Sequence, residues 1–477
     1  MKWIFLVNNS LFLSEFFGKL SSQAIKQGDD CLVVWNSKVA EYGKKKFFPK
    51  EARFISKIDW CIKNYKPDQK EFGDLSWKEL FSAFDRFKAT NFNYDNSLKM
   101  ISHLYQFFEF IFQTEKPDVI ITEPPSGLFH EVAYYFCRKN NVPYLGMGGS
   151  RFNDRIEIYD EKFIYSKNEK TFKEIRDEDI SEKEKEFSKI FVEKFISHKY
   201  VPPYVGLGKF RLSQFEIIKH YLEKIKEDGF WSLQYLKKRK YFKNFDYESE
   251  ARMKRSLSAP FRMEKRQFRI LFQKKIFSEF NGNDNFFFYP LQYQPEASTS
   301  AGATYYCDQL NTINNIAFSL PLPYKLYVKE HLASVGLRKT SFYKKLQKIP
   351  NVVLISFSEN VENVIKKSSG IITLNSTVGM EAALAGKPVY ILGDTIYFYH
   401  PLCQKVENFE ELKNRIQKDL INKPNVNELE NINCRFIMSY FRNAIIGDIV
   451  SASQGKDTND YQLIYQNLKK ALLKEKK

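Results

Sequence analysis

The chain has 477 residues, of which 43% are hydrophobic and 16% aromatic, a composition that suits large packed cores and excludes a disordered chain. A formal net charge of +17 points to anionic partners without choosing among them. No apolar run approaches the roughly 20 residues that cross a bilayer, and the spacing of the six cysteines and six histidines fits no metal site, so no metal, no cofactor and a reduced compartment are expected.

The N-terminus, MKWIFLVNNSLF, has too short an apolar run for a signal peptide and is read as a first strand over 3–7 in a cytoplasmic protein. A helix over 15–26 and a strand over 31–35 complete a βαβ opening. Residues 36–95 are weakly patterned, with a helix over 77–87, and read as an insertion. An amphipathic helix over 98–113 leads to a buried strand over 118–122 that ends in Glu123-Pro124-Pro125-Ser126-Gly127. A helix over 129–139, a strand over 142–145 and a loop from Gly146 to Arg151 follow, giving an N-terminal Rossmann-like, acceptor-side domain over 1–160. A carboxylate at the carboxyl end of a strand faces the cleft of an open sheet, so Glu123 is a candidate base; the alternative is a turn acid before two prolines. Gly146-Met147-Gly148-Gly149 lacks the dinucleotide-binding spacing, and Gly18-Lys19 lacks the upstream glycine of a P-loop.

Residues 161–280 read as a helical insertion or linker, with helical patterns over 182–197, 212–226 and 263–277 broken by Val201-Pro202-Pro203-Tyr204. Asp177-Glu178-Asp179 lies in a helical, charge-rich stretch and reads as surface, not as a metal-binding Asp-x-Asp. From Lys237 to Lys275 there are 14 Lys/Arg against four acids, interleaved with Tyr241, Phe242, Phe245, Tyr247, Phe261, Phe268 and Phe272. No nucleic-acid recognition motif accompanies this charge, which leaves an anionic membrane surface or a solvated helical face.

The second α/β domain, over 281–402, opens with a strand over 285–291, a helix over 309–319 and a strand over 326–329. Residues 351–401 then alternate strands (352–355, 370–374, 388–392) with helices (360–367, 378–385). Strands joined by helical crossovers pair in parallel, and ligands bind beyond their carboxyl ends. That point is Asn375-Ser376-Thr377, where Ser376 or Thr377 caps a helix whose first N–H groups suit a phosphate. Gly379 lets a ligand or neighbouring backbone approach. Glu381 falls one position late for a capping box and is either a dipole-favoured acid or an acceptor for ribose hydroxyls. The strand ends at Gln294 and Glu296, at Lys329 and His331, and at Ser376 and Thr377 converge on one rim. Helices over 408–421, 435–446 and 461–473 form a tail, 403–477, read as bracing the two domains.

The stretches YPLQYQPEAST, YVKEH and ITLNSTVGMEAALAGKPVYILGDTIY resemble the capsule polysaccharide biosynthesis proteins of bacteria, the KpsC/KpsS/LipB-like group related to β-Kdo transferases. The resemblance implies a GT-B-like α/β fold of two Rossmann-like domains, with the nucleotide-sugar on the C-terminal one. It implies a metal-independent glycosyltransferase that moves a sugar from a CMP-Kdo-like or other activated donor to a glycolipid or glycan acceptor, peripheral to the inner face of the membrane. The group's Gln-Pro motif falls on Gln294-Pro295, while its His-Pro motif falls on His331-Leu332, where the proline is missing and the donor base is left open. Donor contacts are then expected from Gln294, Lys329, Ser376, Thr377, Gly379 and Glu381, and catalytic roles from His331 at the departing phosphate and Glu123 at the acceptor. The alternatives are an isomerase like the UDP-sugar 2-epimerases and a non-catalytic capsule assembly or export scaffold.

Overall fold

The computed structural model describes residues 1–8, 13–69, 72–87, 93–199, 245–249, 259–422, 428–453 and 455–475, with isolated positions between 218 and 233. The break at Val201–Tyr204, most of the helix expected over 212–226, and much of the basic stretch before residue 259 lie outside the described residues.

Two open sheets carry the fold. The first comprises β1 (Lys2–Val7), β2 (Asp30–Trp35), β3 (Arg53–Ser56), β4 (Val119–Thr122), β5 (Tyr144–Gly149), β6 (Arg155–Tyr159) and, from the far end of the chain, β13 (Ile445–Ile446). Their order is β13-β6-β5-β4-β1-β2-β3, with β1 to β5 parallel and the β5–β6 and β6–β13 pairs antiparallel. The second comprises β7 (Phe286–Pro290), β8 (Lys325–Lys329), β9 (Val352–Ile355), β10 (Gly370–Thr373), β11 (Val389–Ile391) and β12 (Cys403–Lys405), all parallel, in the order β12-β11-β10-β7-β8-β9. Read from β9, that is the doubly wound order, and the first sheet, read from β3, repeats its first five strands. The two Rossmann-like units expected from the sequence are therefore present. In each sheet the strand order reverses at one place, between β1 and β4 and between β7 and β10.

The first unit departs from expectation twice. Residues 36–64 are not an insertion: they supply β3 and the helices Lys38–Lys44 and Lys57–Asn64. The glycines after residue 145 are strand, not loop, because β6 pairs Gly148 with Glu157 and Gly149 with Ile156. Gly146 is needed there, since a side chain would meet the backbone of Pro124 at 3.0 Å.

Alternating residues send each sheet's apolar side chains to both faces. Phe286, Phe288 and Tyr327 share one core with Met380 and Ala383 of the helix Thr377–Leu384, Phe191 and Phe195 of the helix Glu182–Ile196, and Phe436 and Tyr440 of the helix Leu429–Asn443. Phe287, Tyr289, Leu326 and Val328 pack on the helix Gln309–Ser319, through Ile313 and Ile316. The helix Tyr461–Glu475 returns to the first sheet, where Tyr465 stacks on Trp3 at 5.5 Å and donates to Asp29 at 2.6 Å. No helix among the described residues is long and apolar enough to cross a membrane.

Candidate functional site

Asn8 follows β1 and Glu123 follows β4, at the reversal point of the first sheet. The Asn8 amide and the Ser126 hydroxyl both donate to one oxygen of the Glu123 carboxylate, and Tyr144 donates to its backbone carbonyl at 2.8 Å. Ser126 also lies 3.1 Å from His130 Nδ1. Its single proton goes to the carboxylate, so Nδ1 carries a proton and donates back to the hydroxyl. Burial draws His130 down to about 4, which leaves the ring neutral near pH 7. Arg86, in a π-helical turn at Ala83–Phe87, donates to the Ser126 carbonyl. Glu123 is thus a half-buried carboxylate held in one orientation.

At the reversal point of the second sheet, Ser376 caps the helix Thr377–Leu384. Its hydroxyl accepts from Val378 N at 3.3 Å and its N–H donates to Thr373 Oγ1 at 3.2 Å. Ser376 and Thr377 are partly exposed, so the cap is open to a ligand. Gly379 differs from expectation. The space above it is filled by Tyr397, whose ring would meet a side chain at 3.0 Å and whose hydroxyl donates to the Ser376 carbonyl. The glycine admits that tyrosine.

Glu381, one turn on, is 5% exposed. Its Oε2 has no hydrogen-bond partner among the described residues and lies 3.3 Å from His198 Nε2. His198 sits just past the helix Glu182–Ile196 with a φ of 53°. Burial pushes Glu381 up to about 8, with Lys329 opposing. Burial likewise draws Lys329 down to about 8, opposed by Glu330, Glu359 and Glu381. Near pH 7 Glu381 therefore holds a proton, so it can both donate to and accept from a hydroxyl, while Lys329 is a cation. Lys329 shares a sheet face with Tyr327, the face covered by the helix that carries Glu381.

His331 Nδ1 accepts from Ala333 N at 3.2 Å, which puts the ring proton on Nε2. Desolvation, then Lys329 and Arg338, lower its pKa, so it offers a neutral N–H donor. The loop behind it is anchored by buried Glu330, which accepts from Arg338 Nε at 2.9 Å, Tyr343 at 2.5 Å and His331 N at 2.8 Å. Gln294, expected against a donor, has its amide turned inward: it donates to the Cys307 carbonyl at 2.8 Å and accepts from Gln309 at 2.6 Å. It shapes the loop after β7.

That loop joins the units. Ser300 donates to Asp85 at 2.8 Å, beside Arg86, and Asn375 donates to the Ser298 carbonyl. Arg151 fastens Glu157 at 2.7 Å and reaches Tyr440 on a C-terminal helix at 3.4 Å. Asp177–Asp179 is an exposed 3-10 turn, as its surroundings in the sequence indicated. Among the described residues no three His, Cys, Asp or Glu side chains are grouped to hold a metal. Sequence reasoning missed Asn8, Arg86, Ser126, His130 and His198. Asn8 was recoverable, since it follows the first strand as Glu123 follows the fourth; His198 carried no local signal.

Residues 230–427 match the family model described as capsule polysaccharide biosynthesis protein. Comparison with curated proteins finds no match. Among solved structures, the β-Kdo 2,4 transferase KpsC of Thermosulfurimonas dismutans is similar at 12% identity over 67% of this chain and 80% of that one, with a TM-score of 0.35. The β-Kdo 2,7 transferase KpsC of the same organism gives 11% identity, 69% and 79% coverage and a TM-score of 0.30. The UDP-GlcNAc 2-epimerase of Methanocaldococcus jannaschii gives 11% identity, 93% and 99% coverage and a TM-score of 0.26.

Proposed function

We propose, from the match of residues 230–427 to the model described as capsule polysaccharide biosynthesis protein, that the chain is a glycosyltransferase of capsule synthesis. It takes a sugar from a nucleotide-activated donor and adds it to a glycolipid or glycan acceptor. One observation carries this reading. A clamped carboxylate stands at the reversal point of one sheet, and a set of phosphate-compatible donors stands at that of the other, with a single loop linking the two sides.

In this reading the donor phosphate lies between the N-terminus of the helix Thr377–Leu384, Lys329 and His331 Nε2–H, and the ribose lies at Glu381 and His198. Glu123 takes the proton of the acceptor hydroxyl as its oxygen bonds to the anomeric carbon. The bond from that carbon to the phosphate oxygen breaks, and the electron pair leaves on the phosphate. Fixed donors aimed at that growing charge lower the barrier without reorganising, typically the largest electrostatic contribution in such a site.

A thermal-shift panel of CMP, UDP, GDP and CDP tests the site first and identifies the base. Transfer and donor hydrolysis are then measured for His331→Ala and Glu381→Ala, each expected to lose roughly a hundredfold in transfer. Wild-type rates in both variants would remove the site. Turnover of a nucleotide-sugar with no acceptor present would favour an isomerase instead.

A further inference from the structure

The helix Ala259–Gln273 is built with its polar side inward. Arg266 donates from Nε to the Val335 carbonyl at 2.9 Å and from Nη2 to that of Ala333 at 3.2 Å. Arg269 donates to the Leu337 carbonyl at 2.7 Å and Gln273 to that of Arg338 at 2.8 Å. Ile270 alone of its large apolar residues is buried, against Val335 and Phe357. The opposite face carries Phe261, Phe268, Leu271 and Phe272, which are 79%, 63%, 61% and 59% exposed. At 100° per residue these four fall within one sector, away from Arg266, Ile270 and Gln273. Phe268 and Phe272 lie against each other at 4.6 Å, and among the described residues neither belongs to a core cluster. A surface helix ordinarily turns such a face to the core.

We propose that this face docks the protein on an anionic bilayer, with the phenylalanines and Leu271 entering the headgroup boundary. Charge complementarity selects that occupant. Arg266 and Arg269 are turned inward, so the outward charge is that of exposed Arg262, Lys265 and Lys275, three cations around the apolar sector against the one exposed acid, Glu264, which lies within it between Leu271 and Phe268. A second copy of the chain would set the same positive charges against each other across a two-fold contact, whereas an interface rich in anionic lipid attracts them while the aromatics seat.

The position of the face adds a function. The carbonyls that hold the helix belong to residues 333–338, the loop that directly follows His331, and Gly336 lets the helix backbone come within 2.6 Å of where a side chain would begin. Docking therefore brings the phosphate end of the candidate site to the membrane, which fits an acceptor anchored in the bilayer by a lipid. This acceptor assignment rests on the glycosyltransferase reading; the docking itself does not.

The test uses the full chain in flotation with vesicles of equal parts phosphatidylglycerol and phosphatidylethanolamine, and with neutral phosphatidylcholine vesicles. Wild type is expected to float with the anionic vesicles only. Phe268→Ser combined with Phe272→Ser is expected to weaken binding roughly tenfold per phenylalanine removed. Lys265→Glu is expected to weaken it by about an order of magnitude on anionic vesicles and to leave the neutral ones unchanged. With a glycan acceptor bearing a long alkyl chain in vesicles, the double variant loses transfer in the same proportion, while transfer to the soluble glycan stays at wild type. Equal flotation of wild type and double variant, or wild-type binding that ignores vesicle charge, overturns the docking proposal. So does a solution dimer that the double variant converts to monomers, which would assign the face to a second copy. If flotation behaves as expected but no acceptor is glycosylated, the docking stands and the transferase reading fails.

Discussion

Replacing Glu381 by glutamine isolates the energetic consequence of burying a carboxyl at the candidate donor site. In the unfolded chain this group titrates near its ordinary value of 4.5, whereas in the fold burial holds the proton on up to about 8. Between those values the folded state binds one proton more than the unfolded state, so stability falls as pH rises, by about 1.4 kcal/mol per pH unit. Across the whole window the loss is on the order of 4 kcal/mol. Glutamine keeps the shape and cannot ionise. The difference in stability between Glu381→Gln and wild type should therefore be small at pH 5 and grow in favour of the variant up to pH 8. Lys329 does not confuse the comparison. Its pKa is lowered from 10.5 to about 8, so its own change in stability falls above this window, where the unfolded chain still holds a proton the fold has released. Denaturation midpoints of both chains at half-unit intervals from pH 5 to 8 give the curve. A constant offset across that range would mean that Glu381 is solvated in the folded protein, and the picture of a dry, proton-holding carboxyl would be wrong.

Three further outcomes are expected. Arg338→Met leaves Glu330 buried beside Tyr343 without its cation, which should cost about 3 to 5 kcal/mol in unfolding experiments, and adding Glu330→Gln should recover most of it; no recovery would refute the pairing. Gly379→Ala places a methyl group against the Tyr397 ring, an overpacking expected to cost about 1 to 3 kcal/mol, and a wild-type melting temperature would show that the ring moves aside freely. Glu123→Gln should lower transfer by about 10² to 10⁴ with donor affinity unchanged; loss of donor affinity in proportion would place Glu123 on the donor side instead.

Legibility in the sequence followed burial. β7 to β10 were readable almost to the residue because a central parallel strand is covered on both faces and shows as an unbroken apolar run, such as FFFYP or GIIT. Their helices announced themselves through caps: Asn360 and Asn408 accept from backbone N–H groups at their helix starts, and Gly386, at a φ of 80°, ends the helix of Glu381. Edge strands gave no such run. β3 is RFIS, exposed at its arginine and only half-buried beyond it, and β12 is CQK. The site divided along the same line. Lys329, His331 and Ser376 follow strands that could be seen, so the rule about strand ends found them. His198 reaches Glu381 through the packing of a helix from another part of the chain, and nothing within a local window encodes that meeting.

The basic stretch shows why composition alone could not place a partner. Counting charge from Lys237 to Lys275 treats every lysine and arginine as facing outward. The fold sorts them otherwise. Phe245 and Tyr247 pack into the first unit, Asp246 accepts from the backbone of Lys38 at 3.0 Å, and Lys57 donates to the Phe245 carbonyl at 2.8 Å, so this part of the stretch is interior. In the helix Ala259–Gln273 it is Arg266 and Arg269 that hold the protein and the phenylalanines that meet solvent. A guanidinium can do this at little cost because its several N–H groups satisfy loop carbonyls that have no strand or helix partner. The same substitution of partners frees an apolar face of the helix from any duty in the core. What the net charge advertised as a purely electrostatic surface is, in three dimensions, an apolar one with a basic border, and it lies one loop away from the histidine expected to meet the donor phosphate.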